Sequence, residues 1–132
     1  MAQVAEVSVD DKGEFRVDRV VCVLDVGQPL NLLGIEGQVE SAVAWGLTAV
    51  LKGGVRFAKG QSLATNFNDS PILRIPENPQ VEVHVLPSAV RPSGLGEQPV
   101  PLVAPAVANA LFAATGKRIR RLPIRAADLR QI

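Results

Sequence analysis

Residues 94–101 have the sequence Gly-Leu-Gly-Glu-Gln-Pro-Val-Pro and hold one carboxylate, Glu97, between two glycines and two prolines. Gly94 and Gly96 permit positive φ angles and let another molecule approach the main chain, while the prolines stiffen the chain before the next helix. An acid placed here has two interpretations: a residue that caps the helix or stabilises its dipole, or a catalytic base presented to a bound cofactor. Spacing alone favours the cap, because caps are common at helix starts.

A second predicted helix follows this loop, from about residue 102 to residue 115, with Gly116 as its C-terminal cap. It is rich in alanine and carries no charged side chain before Lys117, so we expect it to be covered on nearly every side. The charge-free run from 98 to 116 is interrupted by three prolines, which makes it a poor membrane span.

The first predicted helix runs from about Leu32 to Leu51, with Asn31 as its N-cap and a glycine pair as its stop. It has few charged residues, so we expect most of its surface to be buried. One stripe at helical spacing combines an amide, two small side chains and an indole, namely Gln38, Ser41, Ala42 and Trp45. Gln38 either satisfies a neighbouring backbone group, which the residues alone favour, or faces a ligand that packs on the small residues.

Two stretches predict strands of one sheet. Residues 15–26 become continuously apolar from Val20 to Leu24, which is typical of a central strand covered on both faces. Residues 81–85 alternate, with Glu82 and His84 on a polar face. We therefore expect an α+β fold, a small mixed sheet packed by two largely apolar helices.

The chain is long enough for one domain, or is a fragment of one, spanning residues 1–132. Residues 1–12 form a loose N-terminal end or an edge strand, and residues 124–132 form a basic tail. No aromatic side chain interleaves the arginines near this end, so the tail is predicted to be solvated or to face a partner, with no nucleic acid bound. Hydrophobic residues make up 47% and charged residues 20% of the chain, which favours self-association or a partner chain.

Cysteine and histidine usage limits the chemistry that the chain can support. The single Cys22 lies in an apolar run, so it cannot form an internal disulfide and is expected to be buried and inert. The single His84 has no ligand set around it, so we predict no metal ligands in this chain. The N-terminus shows no signal peptide and we expect a soluble chain, while the residues leave cytoplasm and periplasm open.

Three stretches together resemble one family, and the resemblance covers residues 14–123. They are Gln38-Val39-Glu40, the loop Asn68-Asp69-Ser70-Pro71-Ile72-Leu73-Arg74, and Gly94-Leu95-Gly96-Glu97 with the apolar helix that follows. The chain is similar to the C-terminal segment of the molybdopterin-binding large subunit of the xanthine dehydrogenase and aldehyde oxidase family. Residues 113–123 resemble in particular the isoquinoline 1-oxidoreductase beta subunit. The family's glycine pair after Gln-x-Glu is replaced here by Ser41-Ala42.

The resemblance implies that Glu97 is the catalytic glutamate, the base that activates the oxygen nucleophile at the molybdenum centre. It implies that Gln38, Gly94 and Gly96 face the cofactor, a molybdopterin that we expect as the cytosine dinucleotide. The complete enzyme would hydroxylate an N-heteroaromatic or aldehyde carbon. Its partners would be the rest of the molybdenum-binding subunit and an iron–sulfur subunit, since one cysteine cannot hold a cluster.

Most of that subunit's cofactor loops are absent from this sequence. We therefore expect the chain alone to be inactive and to bind no cofactor. The alternative function is a non-catalytic assembly or binding domain that pairs with another chain, and the two hypotheses differ in the role of Glu97.

Overall fold

The computed structural model describes residues 1–130, in which a three-stranded sheet is packed by two long helices. The elements in chain order are β1 (Ala2–Val9), β2 (Phe15–Leu24), α1 (Leu32–Leu51), β3 (Phe57–Ala58), β4 (Gln61–Ser62), β5 (Gln80–Val85), α2 (Val100–Thr115) and α3 (Ala126–Leu129). Short 3-10 turns at Phe67–Asp69 and Ile75–Glu77 lie in the loop before β5. The predicted α+β fold with a small mixed sheet and two packed helices is confirmed.

The sheet has the strand order β1-β2-β5, with β1 and β2 antiparallel and β2 and β5 parallel. β2 is central, as predicted, and β3 and β4 form a separate two-residue hairpin. Of the two alternatives for residues 1–12, the structure has the edge strand. The parallel pairing requires the chain to cross over between β2 and β5, and α1 lies in that connection.

A bulge in β2 determines which side chains face the helices. Glu6 pairs with Arg19 and Val7 pairs with Val17, so Asp18 is the extra residue. After the bulge the buried positions are Val20, Cys22 and Leu24. The side chains between them are only partly buried, so the prediction that this strand is covered on both faces is wrong. Both long helices pack on the face of the sheet that carries Val20, Cys22 and Leu24.

Helix α1 has the predicted bounds. The Asn31 side chain accepts a hydrogen bond from the Gly34 amide at 2.9 Å, which satisfies one of the free N–H groups at the helix start. Its core face is formed by small and branched residues, namely Val39, Ala42, Val43, Gly46, Leu47 and Val50. The expectation that most of the helix is buried is wrong, since Leu33 is 79% and Trp45 65% exposed.

Helix α2 begins two residues before the predicted start and ends, as predicted, at Gly116, whose φ of 71° is left-handed. Only Val103, Val107 and Leu111 are fully buried, at the spacing of one helical face. The expectation of cover on nearly every side is therefore wrong for this chain. Among the helices of residues 1–130, none is both long and apolar enough to cross a membrane.

The described part of the basic tail is docked rather than loose. Ile124 and Leu129 are each 3% exposed and belong to the core, and the Ile124 amide donates to the Val50 carbonyl at 2.8 Å. The prediction of a solvated or partner-facing tail is wrong for these two residues, because burial of their apolar side chains draws the backbone onto α1. Arg125 and Arg130 stay exposed, and residues 131–132 lie outside the described residues.

Candidate functional site

Glu97 is exposed on the loop that precedes α2. The helix has Pro99 as its N-cap, no side chain caps it, and its first turn contains no acidic residue. The Glu97 main-chain carbonyl, not its carboxylate, accepts the Val100 amide at 3.1 Å. The capping interpretation is therefore wrong, and dipole stabilisation is weak beyond the first turn. Within residues 1–130, the carboxylate is exposed and can contact another molecule.

Gly94 and Gly96 are exposed, and neither has a positive φ. The positive φ angles that glycine permits are therefore not used at these two positions. An added Cβ at either position would meet no atom within 4 Å, so packing within the chain does not require glycine there either. Their effect is to leave the main chain open to close approach from outside.

The segment 93–99, which contains Gly94 and Gly96 and is called the glycine loop below, is anchored at its start to the β2–α1 connection by backbone hydrogen bonds. The Ser93 amide donates to the Val26 carbonyl and the Gln28 amide donates to the Val90 carbonyl, each at 2.9 Å. Gly27 allows this contact, because a Cβ there would lie 2.4 Å from the Arg91 carbonyl oxygen. Nothing in the sequence predicts this anchor, since its partners are more than sixty residues apart.

A cleft of about 270 Å³ lies between the first turns of α1 and the glycine loop. Its walls include Ile35 and Gln38 from α1 and Ser93 and Leu95 from the loop, and Leu95 stands between the two glycines. Gln38 is exposed, so it has no need of a backbone partner, and the interpretation favoured by sequence is wrong. The structure brings Gln38 and the glycine loop together, with Glu97 two residues beyond Leu95.

The stripe predicted on α1 divides into two parts. Ala42 faces the core and is 3% exposed, so it is unavailable to a ligand. Ser41, Trp45 and Thr48 instead line a second cleft, of about 170 Å³, with the loop before β5. The Leu73 amide donates to the Thr48 hydroxyl at 3.1 Å and fixes this loop to the helix.

The single cysteine and the single histidine both lie in the sheet. Within residues 1–130, no group of three His, Cys, Asp or Glu side chains is placed to hold a metal ion. Cys22 is fully buried, as predicted, and burial raises the pKa of its thiol to about 11. His84 contacts the Glu82 carboxylate at 2.6 Å on the open face of the sheet.

Comparison with solved structures assigns the fold to the molybdenum-cofactor-binding domains of oxidoreductases. The chain superposes on carbon monoxide dehydrogenase from Oligotropha carboxidovorans with a TM-score of 0.79 and 23% identity, covering 93% of this chain and 16% of that one. Quinoline 2-oxidoreductase from Pseudomonas putida 86 gives a TM-score of 0.76 and 26% identity over 87% of this chain and 16% of that one. Residues 1–79 match the model of the molybdopterin cofactor-binding domain, and the chain belongs to that family.

Curated relatives align with nearly the whole chain. A subunit of the nicotinate dehydrogenase of Pseudomonas putida is 40% identical over 98% of this chain and 11% of its own length. A Gluconacetobacter polyoxogenes protein, named as a membrane-bound aldehyde dehydrogenase (pyrroloquinoline-quinone), is 36% identical over 96% and 16%. The isoquinoline 1-oxidoreductase beta subunit of Brevundimonas diminuta is 33% identical over 96% and 16%. The predicted resemblance is confirmed, and the chain spans at most about a sixth of these relatives.

Proposed function

We propose that this chain is part of a molybdenum hydroxylase and supplies its catalytic base, Glu97. The enzyme would hydroxylate an N-heteroaromatic or aldehyde carbon with oxygen derived from water. The observation that carries this proposal is an exposed carboxylate that caps no helix, on a loop that backbone hydrogen bonds anchor to the β2–α1 connection. A base must stand within hydrogen-bond reach of the proton it accepts, and an anchored loop provides that placement.

The cleft and the glycine loop fit a pterin cofactor. The walls of the cleft are largely apolar with few polar groups, as in most cofactor sites. The open main chain of Gly94 and Gly96 can lie against a flat ring system. Gln38 would offer its amide as donor or acceptor. For the form of the cofactor we propose the cytosine dinucleotide, which is the form that the family resemblance implies. When bound, the cofactor would supply the metal that transfers oxygen and accepts the electrons.

The chemical task of Glu97 is to take a proton from the oxygen nucleophile. A carboxylate accepts on two oxygens, and this one is not occupied by the helix that follows it. The flanking prolines restrict the loop, so little reorganisation is needed when the proton moves. The proton would then rest on the Glu97 carboxyl group until it passes to solvent.

The rest of the subunit and an iron–sulfur subunit are the proposed partners. Two of the relatives are named as single subunits of their enzymes, which supports an assembly of several chains. Exposed apolar side chains on α1 and around the clefts, such as Leu30, Leu33 and Trp45, provide surface for such contacts. With one cysteine, this chain leaves electron transfer through a cluster to its partner.

Activity of the assembled enzyme tests the role of Glu97. Glu97→Gln keeps the shape of the side chain but removes proton acceptance, so turnover should fall by about 10²- to 10⁴-fold at unchanged molybdenum content. Glu14→Gln, at another exposed glutamate, just before β2, is the matched control and should retain full rate. A Glu97→Gln enzyme that keeps more than about a tenth of the wild-type rate contradicts the base assignment. That result would support the non-catalytic assembly domain instead.

Cofactor binding by the isolated chain is a separate question. We propose that the 132-residue chain alone holds neither molybdenum nor pterin and is inactive, because one loop and one helix cover only part of a cofactor. Metal analysis and pterin fluorescence of the purified chain measure this directly. Near-stoichiometric molybdenum would contradict the proposal that the isolated chain binds no cofactor. A bound quinone would also contradict it, and would instead match the cofactor in the name of the Gluconacetobacter relative.

A further inference from the structure

The far end of the glycine loop is held by a side chain from the edge strand. Gln3 in β1 donates its Nε2–H to the carbonyl oxygen of Pro99 at 3.0 Å, across 96 residues of sequence. Pro99 is fully buried and is the N-cap of α2, and α2 packs against β1. The hydrogen bond therefore ties the start of the helix to the sheet.

Glu97 lies between two such hydrogen bonds, one at each end of the glycine loop. The Ser93 amide holds the loop to the Val26 carbonyl four residues before Glu97, and Gln3 holds it two residues after. Proline at position 99 has no N–H and cannot donate a backbone hydrogen bond of its own. The hydrogen bond that its carbonyl accepts from Gln3 ties this end of the loop to the sheet.

The acceptor atom of the Gln3 side chain argues against a purely structural role for this residue. Its Oε1 atom is buried and has no hydrogen-bond partner among the described residues. An apolar side chain of the same length would fill this place without leaving a buried acceptor unpaired. Gln3 also lies opposite Cys22 in the strand pair, and its side-chain hydrogen bond lowers the pKa of the Cys22 thiol, against the larger effect of burial, which raises it. The chain thus retains a donor toward Pro99 in spite of an unpaired acceptor.

We propose that Gln3 is a positioning residue that sets the location of the Glu97 carboxylate through Pro99. This inference rests on the proposed function of Glu97. It assigns to the edge strand, at the opposite end of the sequence, a part in the chemistry of the glycine loop. Misplacement of a reacting group by about 1 Å can reduce rate by about 10²-fold, so a single hydrogen bond at this point has a measurable effect.

The test compares Gln3→Met with Gln3→His. Methionine keeps length and removes the donor, while the histidine Nε2–H keeps a donor at similar reach. In the assembled enzyme Gln3→Met should lower kcat by about 10- to 100-fold with KM changed less than about threefold, and Gln3→His should restore most of the rate. Val7→Ala, on the same inner face of β1, is the control for a general loss of packing and should leave kcat near wild type.

A readout independent of turnover is amide hydrogen exchange in residues 94–100. Gln3→Met should speed exchange there about tenfold or more while the rest of α2 is unchanged, because only the local tie is lost. Equal exchange in the wild type and Gln3→Met would overturn the inference. So would loss of kcat in Gln3→Met that Gln3→His fails to restore.

The double variant separates this inference from the function on which it rests. If Gln3 acts through Glu97, Gln3→Met should cause no further loss in a Glu97→Gln background. The same loss in both backgrounds would overturn the positioning role and leave Glu97 as the base. A Glu97→Gln enzyme with near wild-type rate would overturn the proposed function itself, whatever Gln3→Met does.

Discussion

Gly46 of α1 lies so close to Val103 of α2 that a Cβ on Gly46 would stand 2.6 Å from the Val103 Cγ2 atom. Both residues are fully buried, and their contact sets how closely the two helices approach. Helix α1 carries Gln38, and α2 follows the loop of Glu97. The separation of the amide and the carboxylate therefore depends on a glycine that neither of them touches.

Gly46→Ala should destabilise the chain by about 1–3 kcal/mol, since the new methyl group overpacks the helix contact. Gly37→Ala in the same helix is the matched control, because an added Cβ there meets nothing within 4 Å. It should instead stabilise by about 0.5–1 kcal/mol through helix propensity. Urea unfolding of the two variants checks the pair, and equal midpoints would show that the helices can separate without cost.

Cys22 should resist alkylation in the folded chain. Its thiol is fully buried, and burial raises the pKa to about 11, so little reactive thiolate is present at about pH 8. We expect slow labelling by iodoacetamide in native buffer and rapid labelling in urea, followed by mass spectrometry. Complete labelling within minutes under native conditions would contradict the burial of this side chain.

The free energy of unfolding should fall at acidic pH, because charged side chains on the open face of the sheet stabilise the ionised form of Glu82. The pKa of Glu82 is held below its ordinary 4.5 by hydrogen bonds from Arg19 first and His84 second, while Glu6 is the other carboxylate on Arg19. Because the pKa of Glu82 is lower in the folded than in the unfolded chain, its ionised form stabilises the fold above about pH 4.5. This contribution is lost as the pH falls through the folded pKa. Glu82→Gln should therefore flatten the loss of stability below about pH 4.5 in thermal unfolding. High salt should shrink the wild-type effect, because exposed ion pairs are screened.

The isolated chain should self-associate through its exposed apolar side chains. Leu33 and Trp45 on α1 are more than half exposed, as is Phe67 in the loop before β5. Leu33→Glu should shift sedimentation toward the monomer and reduce the binding of apolar dyes. Gln61→Glu adds the same charge in the β3–β4 hairpin, away from α1, and should change neither. A wild-type chain that sediments as a monomer and binds no dye would contradict this prediction.

Local signals in the sequence were sufficient for the helices. Asn31 specifies the start of α1 because its side chain satisfies an N–H three residues away, and Gly116 specifies the end of α2 because it adopts a left-handed φ at no steric cost. The central position of β2 was predicted from its continuous apolar run, whereas the cover on both faces that the same run predicted was wrong. These features depend on neighbours within a few residues.

The candidate site was only partly predictable. The family resemblance singled out Gln38 and Glu97, but residue order alone favoured a buried amide and a helix cap, and both interpretations were wrong. Exposure decides the case of Gln38, and the hydrogen bonding at the start of α2 decides that of Glu97; both depend on which face of α1 meets the sheet and where α2 begins. Gly94 and Gly96 show the same limit, because their openness is a property of the space around them.

The sequence by itself determined several local elements: the two long helices with Asn31 and Gly116 as caps, the strands β2 and β5, and the glycine loop. Only the tertiary structure decided the bulge at Asp18, the parallel pairing of β2 with β5, and the hydrogen bond from Gln3 to Pro99. The physical reason is the range of the interactions. Caps and propensities act over a few residues, whereas register and side-chain ties between the chain's two ends form only when burial of a shared core brings them together.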